Sequence, residues 1–172
     1  MKTSITSLLI IFCFSILTYA QTPQDRATEL KEQAQSSLKQ KDYIKARYLF
    51  KKAYEAFAAR ENYPQAIECG VQANALYVRE NFYKEGFELC RDMEQLLWTG
   101  EQNKKKVFYD LRFLINKERL QMYTTLKNPA QAKTQLDKLE ETANLAKNDS
   151  LTEVLLYTKA NYYYTFNQNT QG

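Results

Sequence analysis

Residues that start helices punctuate this chain at short intervals, and almost nothing in it favours any other structure. Thr22-Pro23-Gln24-Asp25 offers an N-cap, a proline at the first helical position and an acid in the first turn. Asn62 is followed by Pro64 and Gln65, and Asn128-Pro129-Ala130-Gln131 repeats the first pattern. Ser150-Leu151-Thr152-Glu153 has the form of a capping box, and Asp42 and Asn81 read as further caps. Each supplies a side-chain oxygen for amides that a first helical turn leaves unpaired. Only four glycines and three prolines interrupt a chain rich in Ala, Leu, Lys, Glu and Gln. No stretch alternates with period two for long enough to form a strand.

These signals predict seven helices, near 23–40, 43–61, 63–80, 82–99, 102–127, 129–147 and 151–167. Gly100 stands where the fourth would end in a left-handed turn. The connections are a few residues long, so neighbouring helices must run antiparallel. The apolar spacing agrees. Ala46, Phe50, Ala53 and Phe57 form one stripe; Gly86, Leu89, Met93 and Leu96 a second; Ala132, Leu136, Leu139, Ala143 and Ala146 a third. Each must be buried against a neighbour.

Ahead of the helices stands an export signal, expected over residues 1–20. Lys2 is its positive end, Leu8 to Leu17 its apolar run, and Thr18-Tyr19-Ala20 its cleavage site, with a polar stretch after Ala20. The run is short for a membrane span, which argues against an uncleaved anchor. Cys13 follows Phe12 inside that run, which argues against a lipid-attachment site. The expected address is therefore periplasmic or extracellular, with no membrane insertion in the mature segment, residues 21–172. The net charge of +4 is too mild to argue for nucleic acid or anionic lipid. The one basic cluster, Lys104-Lys105-Lys106, reads as a solvated helix end.

Cys69 and Cys90 fall on the two helices of one predicted hairpin. Reflected about a turn near Asn81, they miss each other by about five residues, ~7 Å along the axis. That is poor geometry for a disulfide, so two buried free thiols are expected.

Catalysis is not expected. The chain has no histidine, which removes Ser-His-Asp and Cys-His nucleophile systems and histidine-ligated metal sites. Two cysteines this far apart make no zinc site, and there is neither a phosphate loop nor a dinucleotide fingerprint. Glu140-Glu141 lies beside lysines on a helix surface, where ion pairing is the expected role. Asn148-Asp149-Ser150 matches a glycosylation sequon but doubles as a helix cap, the role favoured here. No cofactor or metal is implied.

Residues 41–54 (KDYIKARYLFKKAY) resemble the second half of a tetratricopeptide repeat (TPR), a helix hairpin with small residues at its contact and aromatics in its gaps. Tyr43 begins the helix, Ala46 is the small contact residue, Phe50 fills the space between hairpins, and Ala53 faces the next unit. Ala34 takes the small position of the preceding helix. Tyr83, Gly86, Cys90 and Met93 repeat the pattern more loosely, as do Pro129, Ala132, Leu136 and Leu139. Tyr77, Tyr123 and Tyr163 match the aromatic slot near the end of a first helix, where the first unit has Ser37. Ala46 to Gly86 is 40 residues and Gly86 to Ala132 is 46, longer than the usual period of about 34 and in line with longer helices.

The resemblance implies an all-α fold, a right-handed α-α superhelix of about seven helices in antiparallel hairpins. It implies a concave groove lined by the first helix of each unit: Lys31, Gln35 and Lys39; Glu68, Val71 and Arg79; Lys117, Gln121 and Thr124; and Tyr157, Asn161 and Tyr164. Lysines and amides beside aromatics suit an extended protein or peptide ligand. The seventh helix matches a first helix and carries apolar residues around much of its circumference, so the array is expected to be cut short. Further TPR helices or a partner would pack on Tyr162, Tyr163, Tyr164 and Phe166. The whole is similar to the N-terminal periplasmic region of bacterial membrane-anchored regulators of the sensor histidine kinase or helix-turn-helix type. A free periplasmic or secreted adaptor, or a self-associating module, are the other expectations.

Overall fold

The computed structural model describes residues 23–167, and the expected export signal and the tail Gln168–Gly172 lie outside them. The fold is all-α. Among the described residues there are seven helices: α1 (Pro23–Lys39), α2 (Tyr43–Ala58), α3 (Tyr63–Arg79), α4 (Tyr83–Lys104), α5 (Tyr109–Thr125), α6 (Pro129–Ala146) and α7 (Asp149–Asn167).

Four of the six junctions are the same turn. Lys41, Glu61, Asn81 and Lys127 each adopt positive φ, between 54° and 63°. In each case the next amide reaches back five residues, from Asp42 to Ser37 O (2.9 Å), Asn62 to Phe57 O (3.1 Å), Phe82 to Tyr77 O (2.9 Å) and Asn128 to Tyr123 O (2.9 Å). This closes the C-terminal carbonyls of one helix with a left-handed residue. Three of these turns then start the next helix with a side-chain cap: Asp42 accepts from the Lys45 amide, Asn62 from Gln65 and Asn128 from Gln131. Only three or four residues separate one helix from the next at these junctions, which forces the chain to double back.

The third turn corrects the sequence reading. Asn81 takes the left-handed position, which its short polar side chain tolerates, and Phe82 is the N-cap without a side-chain bond. At the start of α7 the cap is Asn148, whose side chain accepts from the Ser150 amide at 3.0 Å, so Ser150 does not open a capping box. The largest correction concerns Gly100. It lies inside α4, which continues to Lys104, and α5 begins at Tyr109 instead of near Gln102. A Cβ on Gly100 would come within 2.6 Å of the Tyr63 ring, so the glycine admits an aromatic ring against the helix and does not end it.

Sequential helices pack against one another throughout. In addition α3 packs on α5 and α5 on α7, while no contact of similar extent joins α2 to α4 or α4 to α6. Helices α3, α5 and α7 thus follow one another on one side, and α1 is joined to α3 by side chains, Lys31 bonding Gln65 and Glu68. The core is in two clusters. The first runs from Ala27 through Phe50, Ile67 and Met93 to Ile115 and Met122. The second joins Phe113, Leu120, Leu136, Leu139, Leu155 and Tyr162. Helix α5 serves both, with Ile115 and Met122 on one flank and Phe113 and Leu120 on the other. No described helix is long and apolar enough to cross a membrane.

Candidate functional site

The expected groove residues fall into two groups on the structure, each between successive odd-numbered helices. Between α1 and α3, Lys31, Gln35, Lys39 and Glu68 line one depression together with Gln72 and Cys69. Lys31 is tied down there. Its ammonium donates to Gln65 Oε1 at 2.8 Å and pairs with Glu68 at 2.7 Å. Lys31 is therefore a strut between two helices, and Lys39 is the more exposed cation of this depression.

Between α5 and α7 lies the second depression. Lys117, Gln121 and Thr124 come from α5 and Tyr157 and Asn161 from α7, with Leu120, Thr158 and Tyr162 at the floor and sides. Tyr157 is 71% exposed. An aromatic face flanked by two amides and one lysine can stack on a flat group and bond a peptide backbone at its edge.

The other three expected residues sit elsewhere. Val71 is half-buried and packs on the first core cluster. The Arg79 guanidinium lies 3.8 Å from the centre of the Tyr43 ring, a cation–π contact that joins the end of α3 to the start of α2. Tyr164 is exposed and lines neither depression.

Two arrangements had no signal in the helix pattern. At the α4–α5 corner the buried carboxylate of Glu101 accepts from the Phe108 amide at 2.9 Å and from Arg112 Nε at 2.8 Å, and also pairs with Arg112 Nη2. Burial pushes this carboxyl up, but the bonds from Arg112 and Phe108 and the Arg112 charge together hold it below the usual carboxylate range. Helix α5 has no side-chain cap from its own first residue, so Glu101 does the work of one from seven residues upstream. Between α3 and α5 lies a buried polar contact, Asn74 Nδ2 donating to Glu118 Oε2 at 2.9 Å.

Both cysteines are buried free thiols on α3 and α4, as expected. Burial pushes each up to about 12, so they act as small apolar side chains and not as nucleophiles. Among the described residues no group of three or more acids and cysteines is placed to hold a metal.

Fold and depressions together define a class, an all-α array of antiparallel helix hairpins. No protein-family description, curated protein or solved structure matches the chain.

Proposed function

We propose that this chain is a non-catalytic, TPR-like scaffold that binds a protein or peptide along its odd-numbered helices. The observation that supports it best is the depression between α5 and α7, which gathers Tyr157, Asn161, Lys117, Gln121 and Thr124 from residues some forty positions apart. On this reading the array is exported by its N-terminal signal. It forms the extracytoplasmic sensory part of a longer envelope signalling protein.

The exposed flank of α7 favours a covering helix. Matching Tyr163 to Tyr77 puts Leu156 at the place of Gly70, where Met93 of the following helix packs in the second unit. Leu156 is 62% exposed. A further hairpin of the same array would cover it. A second copy of the chain is the alternative occupant, which makes the chain an adaptor or self-associating module.

The test is a peptide-library screen against the immobilised full chain. Binders are expected to lose about tenfold in affinity with Tyr157→Ala or Asn161→Ala, on the order of 1.4 kcal/mol. They should be unaffected by Trp98→Ala, on another face. Binding that ignores both groove substitutions overturns the reading.

A further inference from the structure

We propose that Glu118 is held as a neutral carboxylic acid in a reciprocal pair with Asn74, which makes the joint between α3 and α5 an acid-stabilised element of the fold. Asn74 is fully buried and Glu118 is 4% exposed. Their contact joins residues 44 positions apart, across the seam between the second and third hairpins.

The hydrogen bonding around Asn74 is incomplete if Glu118 is ionised. Asn74 Nδ2 donates to the carboxylate, while Asn74 Oδ1 is buried with no partner. An ionised glutamate has no proton to offer. A neutral one does: its carbonyl oxygen takes the amide N–H, and its O–H can turn to the orphaned amide oxygen. One proton therefore satisfies both residues and removes a buried charge.

The surroundings supply little to hold the charge instead: among the described residues no cation is paired with Glu118, and its contacts are mostly apolar. Ile115, Glu118 and Met122 share the face of α5 that the first core cluster covers. A Cβ on Gly86 would meet Asn74 Oδ1 and Met122 Sδ, both at 2.9 Å, so that glycine lets α4 close over the pair. From α4, Cys90 faces the site as a neutral thiol, and Glu94 is engaged by Arg119 of α5. Lys117 is the remaining cation, and it lines the depression between α5 and α7. The other flank of α5 meets α6 and α7 through Phe113 and Leu120. Burial accordingly pushes the Glu118 carboxyl up, against weaker opposing pulls from the Asn74 bond and the Lys117 charge.

A carboxyl raised in the folded state contributes its full stability below the ordinary carboxylate pKa. It loses that contribution as pH climbs toward the raised folded value, because the unfolded chain ionises first. The joint is therefore firmest in acid and loosens as pH rises.

Glu118→Gln tests this in the full chain, because glutamine copies the neutral acid and its N–H₂ can reach Asn74 Oδ1. The thermal midpoint of the variant should exceed that of the native chain by roughly 3 °C at about pH 8, with the gap closing near about pH 4. Other titrating groups cancel in the difference. A variant equal to or less stable than the native chain at the higher pH overturns the proposal. A second measurement needs no substitution: the carbon-13 shift of the Glu118 carboxyl, followed through a pH titration, should stay at its protonated value past the point where exposed glutamates have ionised. Titration along with those exposed groups overturns it.

Discussion

The stretch from α1 to α4 and the stretch from α5 to α7 are built from the same helix hairpins, yet they are held in different ways. In the first, three successive junctions use one left-handed turn, and α2 and α3 are enclosed by neighbours on both sides. In the second, α5 is reached through a longer corner, in which a left-handed Lys105 closes α4 but α5 does not start until Tyr109, and α7 leaves Leu156, Tyr157 and Tyr164 exposed. The corner depends on Glu101, which is buried and draws Arg112 and the Phe108 amide toward it. Local rules thus suffice while each hairpin repeats the last. Where the connection lengthens, an ion pair across the corner is added to the local turn.

The largest predicted effect contrasts the two cores. Phe50 is almost fully buried between the first two hairpins, and Phe50→Ala should cost about 3–5 kcal/mol in urea unfolding, since the ring's cavity cannot collapse between helices fixed on both sides. Leu155 is buried in the second, smaller core, on a helix with no described helix after it, so Leu155→Ala should fall at the low end of the leucine range, about 2 kcal/mol. If the two substitutions cost the same, α7 is as firmly enclosed as α2 and the contrast is wrong.

The next effect bears on the corner. Glu101→Ala strips Arg112 of its partner and leaves the Phe108 amide without an acceptor. About 2 kcal/mol is expected, because Arg112 is itself nearly half-exposed and recovers some solvation. The pH dependence has a sign. A carboxyl held low in the folded state contributes stability above the ordinary carboxylate pKa and loses it as pH falls toward the lowered folded value. The acid limb of the native chain's stability profile should therefore be shallower in the variant. An unchanged acid limb would remove Glu101 from the account.

Much of this architecture is legible in the sequence, for identifiable reasons. Helix starts at Asp42, Asn62 and Asn128 depend on contacts three residues long, and the core stripes depend on spacing alone. The two cysteines could be judged unable to pair from helix geometry. What failed depended on distant partners. Gly100 carries the local mark of a helix stop, but its role is set by Tyr63, thirty-seven positions earlier. Glu101 and the Asn74–Glu118 pair look like ordinary surface residues of a polar helix until the fold buries them. The groove residues divide in the same way. Positions facing the next odd helix, such as Gln121 and Asn161, come together. Arg79 is drawn off by an aromatic ring on another helix, which periodicity does not show.

The smallest predicted effect tests the sameness of the turns. Lys41 and Lys127 hold the same left-handed conformation, at φ 63° and 54°, in the first and second stretches. A side chain there presses its Cβ toward the following carbonyl at a cost of about 1–2 kcal/mol, which glycine avoids, although glycine also loosens the unfolded chain. Lys41→Gly and Lys127→Gly should therefore each raise stability by a net ~0.5–1 kcal/mol, equally within error. Asn81→Gly should give less, because asparagine already tolerates that conformation. Equal gains at 41 and 127 would mean that the turn is one transferable unit in both stretches. A gain at 41 with none at 127 would mean that the second stretch distorts even the junction it shares with the first.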